Sequence, residues 1–250
     1  MIAKQLIEPK SIVVVGGSDD IHKPGGTVLR NLQDGNFKGS LYVVNPKMDE
    51  VQGIKAYHEE NEEGAKLERQ IVETINSVGG SLIGPNCIGV LTNHYSGVFT
   101  SPIPELNPQG VDLISGSGAT ALFIMDSGMQ KGIKFNSMYS VGNSAQLGVE
   151  EILEYMDEKH ASSLIRKGCR IAAVKSGGSA AGSRAASSHT GALASSDVAV
   201  EALFRKAGIV RCNGRDELMT VAGIFMHPEM KGRNMAVVTH AGGPAVMLTD

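Results

Sequence analysis

Short β-branched runs alternate with helical stretches along this chain. Four of these runs end in a glycine-rich turn. Ser11–Val15 enters Gly16-Gly-Ser18, Val111–Ile114 enters Ser115–Gly118, Ile171–Val174 enters Lys175–Gly178, and Met235–Thr239 enters His240–Pro244. Apolar runs without polar alternation read as strands buried on both faces of a parallel sheet. Another strand spans Leu41–Asn45. Helical spacing lies between the strands. A helix begins near Gly26, and Leu67, Ile71, Ile75 and Val78 share one face of another that Gly79-Gly80 stops. Ala119–Ser127 forms a further helix. Val149, Ile152, Leu153 and Met156 mark another face, and Val198, Ala202 and Leu203 lead one more. Alternation of strand and helix predicts doubly wound α/β domains, and ligands of such sheets bind at the carboxyl ends of strands. All four glycine turns lie there.

The pattern divides into three parts. A first α/β domain covers residues 1–95 and a second covers 96–231. Residues 232–250 restart the strand-and-turn pattern as the beginning of a truncated third domain, since one strand and one turn cannot close a core. Two junctions look interrupted. After Leu41–Asn45 a nucleotide-binding half needs a third apolar strand, yet Tyr57-His58 runs directly into Glu59-Glu-Asn-Glu-Glu63. Glu154–Glu158 likewise runs into Lys159-His-Ala-Ser with no strand between two helices. Segments are therefore expected to be missing near 58/59 and 158/159.

Composition narrows the function classes. The 250 residues suffice for two domains, and 23 basic against 26 acidic residues give a formal charge of −3. That balance offers no nucleic-acid surface. Cys87, Cys169 and Cys212 are distant from one another and show no metal or redox spacing. No metal ligands are assigned, and a reducing, cytoplasmic setting is expected. Met1–Ile7 is too short and polar for a signal peptide, and no apolar run approaches the roughly 18 residues that span a bilayer.

Chemistry concentrates in the turns. Gly16 to Gly26 follows the first strand and precedes a helix, whose free N–H groups can hold phosphate. The spacing is not G-x-G-x-x-G. The second strand ends in Asn45-Pro46-Lys47, where an NAD site wants an acidic residue. Lys47 and Lys23 favour a phosphorylated ligand: CoA fits both, NADP is the rival, and a plain structural turn is the bland alternative. Gly84-Pro-Asn86-Cys87 is a stiff turn, and nothing beside it marks Cys87 as a nucleophile. Ser115-Gly116-Ser117-Gly118-Ala119-Thr120 opens a helix whose positive end attracts an anion. Arg184–Val198 sets His189 among small, turn-prone residues. A neutral imidazole there can carry a phosphoryl group, although a lone loop histidine is commonly a solvated surface residue. His22, His58, His94, His160 and His227 suggest no chemistry, and His240 is left open.

The ordered set of Val14-Val-Gly-Gly-Ser18, Val44-Asn-Pro-Lys47, Gly84-Pro-Asn-Cys87, Ser115–Gly118, Tyr139-Ser-Val-Gly-Asn143 and Ser188-His-Thr-Gly-Ala192 resembles the ADP-forming acyl-CoA synthetases. More distantly it is similar to the alpha subunit of succinyl-CoA synthetase. The resemblance implies a Rossmann-like CoA-binding domain followed by a flavodoxin-like domain. It implies the reversible conversion of acyl-CoA, ADP and phosphate to acid, CoA and ATP, through an acyl phosphate and a phosphohistidine at His189. Gly16, Gly17, Ser18, Lys23, Gly25, Gly26, Asn45 and Lys47 would then hold CoA, with Asn86 and Cys87 near its thiol. Ser115, Gly116, Ser117, Gly118, Ala119, Thr120, Gly142 and Asn143 would hold the phosphoryl group.

The resemblance also implies an ATP-grasp beta subunit or fused domain that binds Mg2+ with ADP or ATP, and hence a hetero-oligomer. The glutamate that orients the histidine in this family falls in the gap near 158/159. Two other classes compete: a CoA-sensing module without catalysis, which would not need Ser188–Gly191, and an NADP-dependent oxidoreductase, which would want G-x-G-x-x-G.

Overall fold

The computed structural model describes residues 4–35, 37–57, 64–160, 168–179 and 196–229, with isolated positions at 182, 231, 232, 236, 238, 240, 242, 246 and 247. It is an α/β protein in which each sheet of the described residues contains parallel strand pairs, and the two four-stranded sheets also contain antiparallel ones. Strands β1 (Ser11–Val15), β2 (Ser40–Val44), β3 (Glu50–Val51) and β4 (Ile54–Tyr57) form a sheet in the order β1-β2-β4-β3. β1 and β2 run parallel with Val13 opposite Tyr42, and β2 and β4 run parallel with Val43 opposite Ala56. Helix α1 (Pro24–Asp34) starts two residues before Gly26, because Pro24 presets the helical φ where no N–H is needed. Its spacing places Gly26, Leu29 and Leu32 on the buried face, against Val14 and Val43.

Two expectations change here. The place of the third strand is taken by β4, whose Ile-Lys-Ala-Tyr alternation hides it in the sequence. The strand read as buried on both faces is buried on one. Val14 packs inward, but Val13 and Val15 are 55% and 56% exposed, beside the exposed Tyr42 and Tyr57. Helix α1 covers the inner face, while the outer face is uncovered among the described residues.

The next sheet is a true sandwich layer. Strands β5 (Gly89–Leu91), β6 (Ser96–Val98), β7 (Leu106–Ser115) and β8 (Phe135–Ser140) take the order β6-β5-β8-β7. β7 and β8 are parallel, with Ser115 opposite Ser140 at their carboxyl ends. Val90 and Tyr139 face the core around Leu29 and Ile152, the latter from helix α4 (Val149–His160). Leu91, Leu113, Phe135 and Met138 face helix α3 (Gly118–Gln130) and Met219 of helix α6 (Arg215–Phe225). The segment before β1 is tied to the β5–β6 turn by the Tyr95 hydroxyl, which donates to Leu6 O at 2.7 Å. Burial pushes that phenol far above its ordinary range, so it stays neutral and able to donate.

Helix α2 (Gly64–Ser77) ends as expected, with Gly79 at φ +67° and Gly80 N–H donating to Ile75 O. β9 (Ala172–Val174) and β10 (Val210–Cys212) pair in parallel as a separate two-stranded sheet, flanked by helix α5 (Asp197–Ala207). The expected apolar faces are corrected at five positions. Val78 lies past the end of α2 and is exposed, Leu153 is exposed beside the buried Ile152, and Val198, Ala202 and Leu203 are exposed on α5, which buries no residue. Of the expected strand at 235–239 only Ala236 and Val238 are described, neither of them in a strand. No helix among the described residues is long and apolar enough to cross a membrane.

One-sided burial of the first sheet predicts unequal costs in urea unfolding. Leu29→Ala should destabilise by about 2–5 kcal/mol. Val13→Ser on the uncovered face should stay within about 0.5 kcal/mol. Equal costs would show that the outer face is packed.

Candidate functional site

The carboxyl ends of β7 and β8 meet the turn that precedes β5. Val141 N–H donates to Ser115 O at 2.9 Å, Asn143 N–H to Pro85 O at 2.9 Å, and Ala145 N–H to Gly84 O at 2.9 Å. Ile88 N–H donates to the buried Ser140 hydroxyl at 3.2 Å. Asn86 Nδ2 lies 3.3 Å from Asn143 Oδ1. Three sequence-distant turns thus form one cluster, holding Asn86, Cys87, Ser115–Thr120, Gly142 and Asn143.

Helix α3 opens into this cluster. Ser117 is its N-cap, accepting from Thr120 N–H at 3.4 Å and from the Thr120 hydroxyl at 3.1 Å. The Ser115 hydroxyl donates to Ser117 O and accepts from Ser117 N–H, closing the tight entry to the helix. Gly118 lies against Ile88, and a Cβ there would be 3.0 Å from Ile88 Cγ2. Gly116 faces open space instead, with nothing within 4 Å of a Cβ built on it. A glycine facing outward beside a helix start leaves room for an anion at the positive end of the dipole. Gly142 is required by its backbone: φ is +59°, and a Cβ would sit 2.2 Å from Pro85 O. Cys87 lies in the same turn, but burial pushes its thiol up, which keeps it protonated and weakly nucleophilic.

A second cluster surrounds the first glycine loop. The carbonyl of Gly16 would be 2.1 Å from a Cβ on Gly25, and that of Asp20 would be 2.1 Å from a Cβ on Gly26. Only glycines let α1 dock directly on the loop backbone. Asn45 braces it from β2: Nδ2 donates to Gly17 O at 2.7 Å, while Oδ1 accepts from the N–H groups of Lys47 and Met48. The position at which a dinucleotide site wants a ribose-binding acid is thus occupied by a turn brace. Ser18 accepts from Asp20 N–H, and Lys23 and Lys47 are exposed at the rim. A residue absent from the sequence reading, Gln52, bonds to this loop on three sides.

Sequence reasoning also missed an ion-pair network at the ends of β9 and β10. Arg211 binds Asp197 Oδ1 at 2.6 Å and Glu201 Oε2 at 3.0 Å, and Lys175 lies 3.7 Å from Asp197. The Arg211 guanidinium holds both carboxyls below their ordinary range, aided by Lys175 at Asp197 and by Arg205 at Glu201. Lys175 and Asp197 stand 22 residues apart along the chain, on either side of 180–195, and only the fold joins them. His189 lies outside the described residues, as do His58 and the junction at 58/59, whereas α4 runs unbroken across 158/159.

Comparison with known proteins bears on both clusters. The model of the CoA binding domain family matches residues 10–68, and that of the succinyl-CoA ligase like flavodoxin domain matches 108–166 and 159–225. The subunit alpha of acetate–CoA ligase [ADP-forming] II from Pyrococcus furiosus is 31% identical over 97% of this chain and 66% of its own length. The chain belongs to the ADP-forming acyl-CoA ligase family. Acetate–CoA ligase [ADP-forming] I of Archaeoglobus fulgidus is another family member, 30% identical over 99% of this chain and 45% of its own length. The chain therefore spans about half to two thirds of these relatives. Among solved structures, a dinucleotide forming acetyl-coenzyme A synthetase 1 from Ca. Korarchaeum cryptofilum, in complex with phosphate and ADP, matches 97% of the chain with a TM-score of 0.79 at 25% identity. In this ligase family chain the CoA binding match covers the loop braced by Asn45, and the flavodoxin-domain match covers Ser115–Thr120, Gly142 and Asn143.

The clasp of Gly142 on Pro85 predicts that Gly142→Ala costs at least the roughly 1–3 kcal/mol of a strained backbone position. Thermal unfolding measures it, and an unchanged midpoint would remove the turn-to-turn contact from the account.

Proposed function

We propose that this chain is the CoA-binding, phosphohistidine-bearing part of an ADP-forming acyl-CoA ligase. The observation that carries the reading is the gathering of Gly84–Cys87, Ser115–Thr120 and Gly142–Asn143 around the open start of α3, on a chain that matches both domain models. In this reading Gly16–Ser18, Lys23, Gly25, Gly26, Asn45 and Lys47 hold CoA, and Asn86 and Cys87 lie towards its thiol end. Phosphate attacks the thioester carbonyl, the C–S bond breaks, and CoA leaves as the thiol or thiolate. The acyl phosphate then passes its phosphoryl group to His189 and departs as the carboxylate. The α3 start, with Ser117, Thr120 and the free N–H groups, stabilises the charge on the transferring group.

His189 next delivers the phosphoryl group to ADP on an ATP-grasp subunit or domain, to which Mg2+ comes with the nucleotide. The partner reading is supported by relatives that are subunits alpha or longer chains of which this one spans only part. The rival readings lack such support. A CoA sensor has no use for Ser188–Gly191, and Asn45 stands where an NADP enzyme would begin its ribose contacts. The cytoplasm is the setting that three unpaired cysteines favour.

Incubating the chain and its ATP-grasp partner with labelled Mg-ATP should give an acid-labile, base-stable phosphoprotein, and His189→Ala should abolish it. Label that survives the substitution would exclude His189 as the carrier.

The reading includes internal segments missing near 58/59 and 158/159. The match to the Archaeoglobus fulgidus relative extends over 313 residues, more than the 250 of this chain. The uncovered face of β1, β2 and β4, and the separate β9-β10 sheet, support this reading. An intact mass above 26.3 kDa is expected for the natural protein. A mass equal to it would exclude the missing segments.

A further inference from the structure

Gln52 sits at the tip of the β3–β4 hairpin with φ +47°, followed by Gly53 at +78°. Two consecutive positive φ values describe the tight hairpin turn that favours Asn-Gly or Gly-Gly. A glutamine at the first position is strained, since a Cβ disfavours left-handed backbone. Its bonds account for its presence. The side-chain Nε2 donates to Ser18 O at 2.7 Å and to Gly26 O at 3.0 Å, using both amide hydrogens. Its backbone N–H donates to Asp19 Oδ1 at 2.6 Å, and its carbonyl accepts from Gln33 Nε2 of α1 at 3.0 Å. One residue thus bridges the beginning of the glycine loop, its aspartate and the first turn of α1.

Two of these bonds bear on ligand binding. In a planar trans peptide the carbonyl and the following N–H point in opposite directions. With the Ser18 carbonyl held on the hairpin side, the Asp19 N–H is turned away from the hairpin. The Gly26 carbonyl is held at the same time, so the distance between the two ends of the loop is set by one rigid amide. A loop already in its binding shape loses less conformational freedom when a ligand arrives, and binds more tightly for that reason alone.

We infer that Gln52 is a positioning residue for the phosphate-bearing ligand of the 16–26 loop, acting through the Ser18 and Gly26 carbonyls rather than by touching the ligand. The inference rests on the reading that this loop holds CoA. Gln52 differs in this from Asn45, which braces Gly17 from the neighbouring strand. Nothing in the sequence announced it, because the hairpin that carries Gln52 is built from two very short strands.

The test compares affinity with stability in the complete chain. Gln52→Gly suits the left-handed turn and keeps both backbone bonds, but removes the bridge. CoA titrated calorimetrically should bind this variant about tenfold more weakly, about 1.4 kcal/mol, while the thermal midpoint stays at that of the unsubstituted chain. Gln52→Glu keeps the size but presents a carboxylate to two carbonyls, and should bind CoA at least as weakly. Amide hydrogen exchange across residues 18–23 should be faster in both variants, and saturating CoA should restore protection. Unchanged CoA affinity in either variant would overturn the inference. So would a fall in midpoint that matches the loss of affinity, which would make Gln52 structural only. If the unsubstituted chain binds no CoA, the reading of the loop fails, and the positioning role fails with it.

Discussion

Backbone hydrogen bonds between turns hold the central site of this protein together. Ser115 O, Pro85 O and Gly84 O each accept from the segment 141–145, so the ends of β7 and β8 and the turn before β5 cannot move apart separately. The contact is possible only because Gly142 has no Cβ and adopts a positive φ. Once the turns are locked, the first turn of α3 projects into the space they leave, with Ser117 already capping it and Gly116 facing outward. The helix dipole and the free N–H groups then have a fixed direction, which is what an anion site requires.

The layers supply the rigidity behind that arrangement. Phe135, Met138 and Leu91 fill one side of the central sheet, and Val90 and Tyr139 the other. A strand packed on both faces does not shift without opening a cavity. The first sheet is less complete. Among the described residues it has α1 on one side and an uncovered apolar row on the other, so the braces from Asn45 and Gln52 carry more of the task of shaping the glycine loop. The two clusters therefore rely on different physics: the α3 site on backbone locking over a full core, the first loop on side-chain amides that bridge backbone carbonyls.

The ion pairs around Arg211 follow a third pattern. Asp197 and Glu201 lie one turn apart on α5 and Arg211 on β10, and Lys175 closes the group from the end of β9. These charges are half-buried and joined in one network rather than standing as isolated surface pairs. Their geometry fixes the strand and the helix that lie on either side of residues 180–195, where the family reading places the phosphohistidine.

Local rules determined much of this from the chain alone. β-branched runs ending in glycine identify β1, β7 and β9, because their signals act within a few residues. Gly79 marks a helix end for the same reason, whereas the structure starts α1 at Pro24, two residues before the expected Gly26. The motifs Gly16–Ser18, Asn45–Lys47 and Ser115–Gly118 stood out because close backbone approach demands glycine and small polar residues. Tertiary structure alone decided which face of β1 is covered, that Ile54–Tyr57 is the third strand, and that Val198 and Leu203 stay in solvent. It also decided the contacts of Gln52, whose partners lie 19 to 34 residues away and whose hairpin has no strong pattern. Periodicity reports what a segment can bury; the neighbours that bury it, and the carbonyls that a side chain can reach, exist only after distant segments have met.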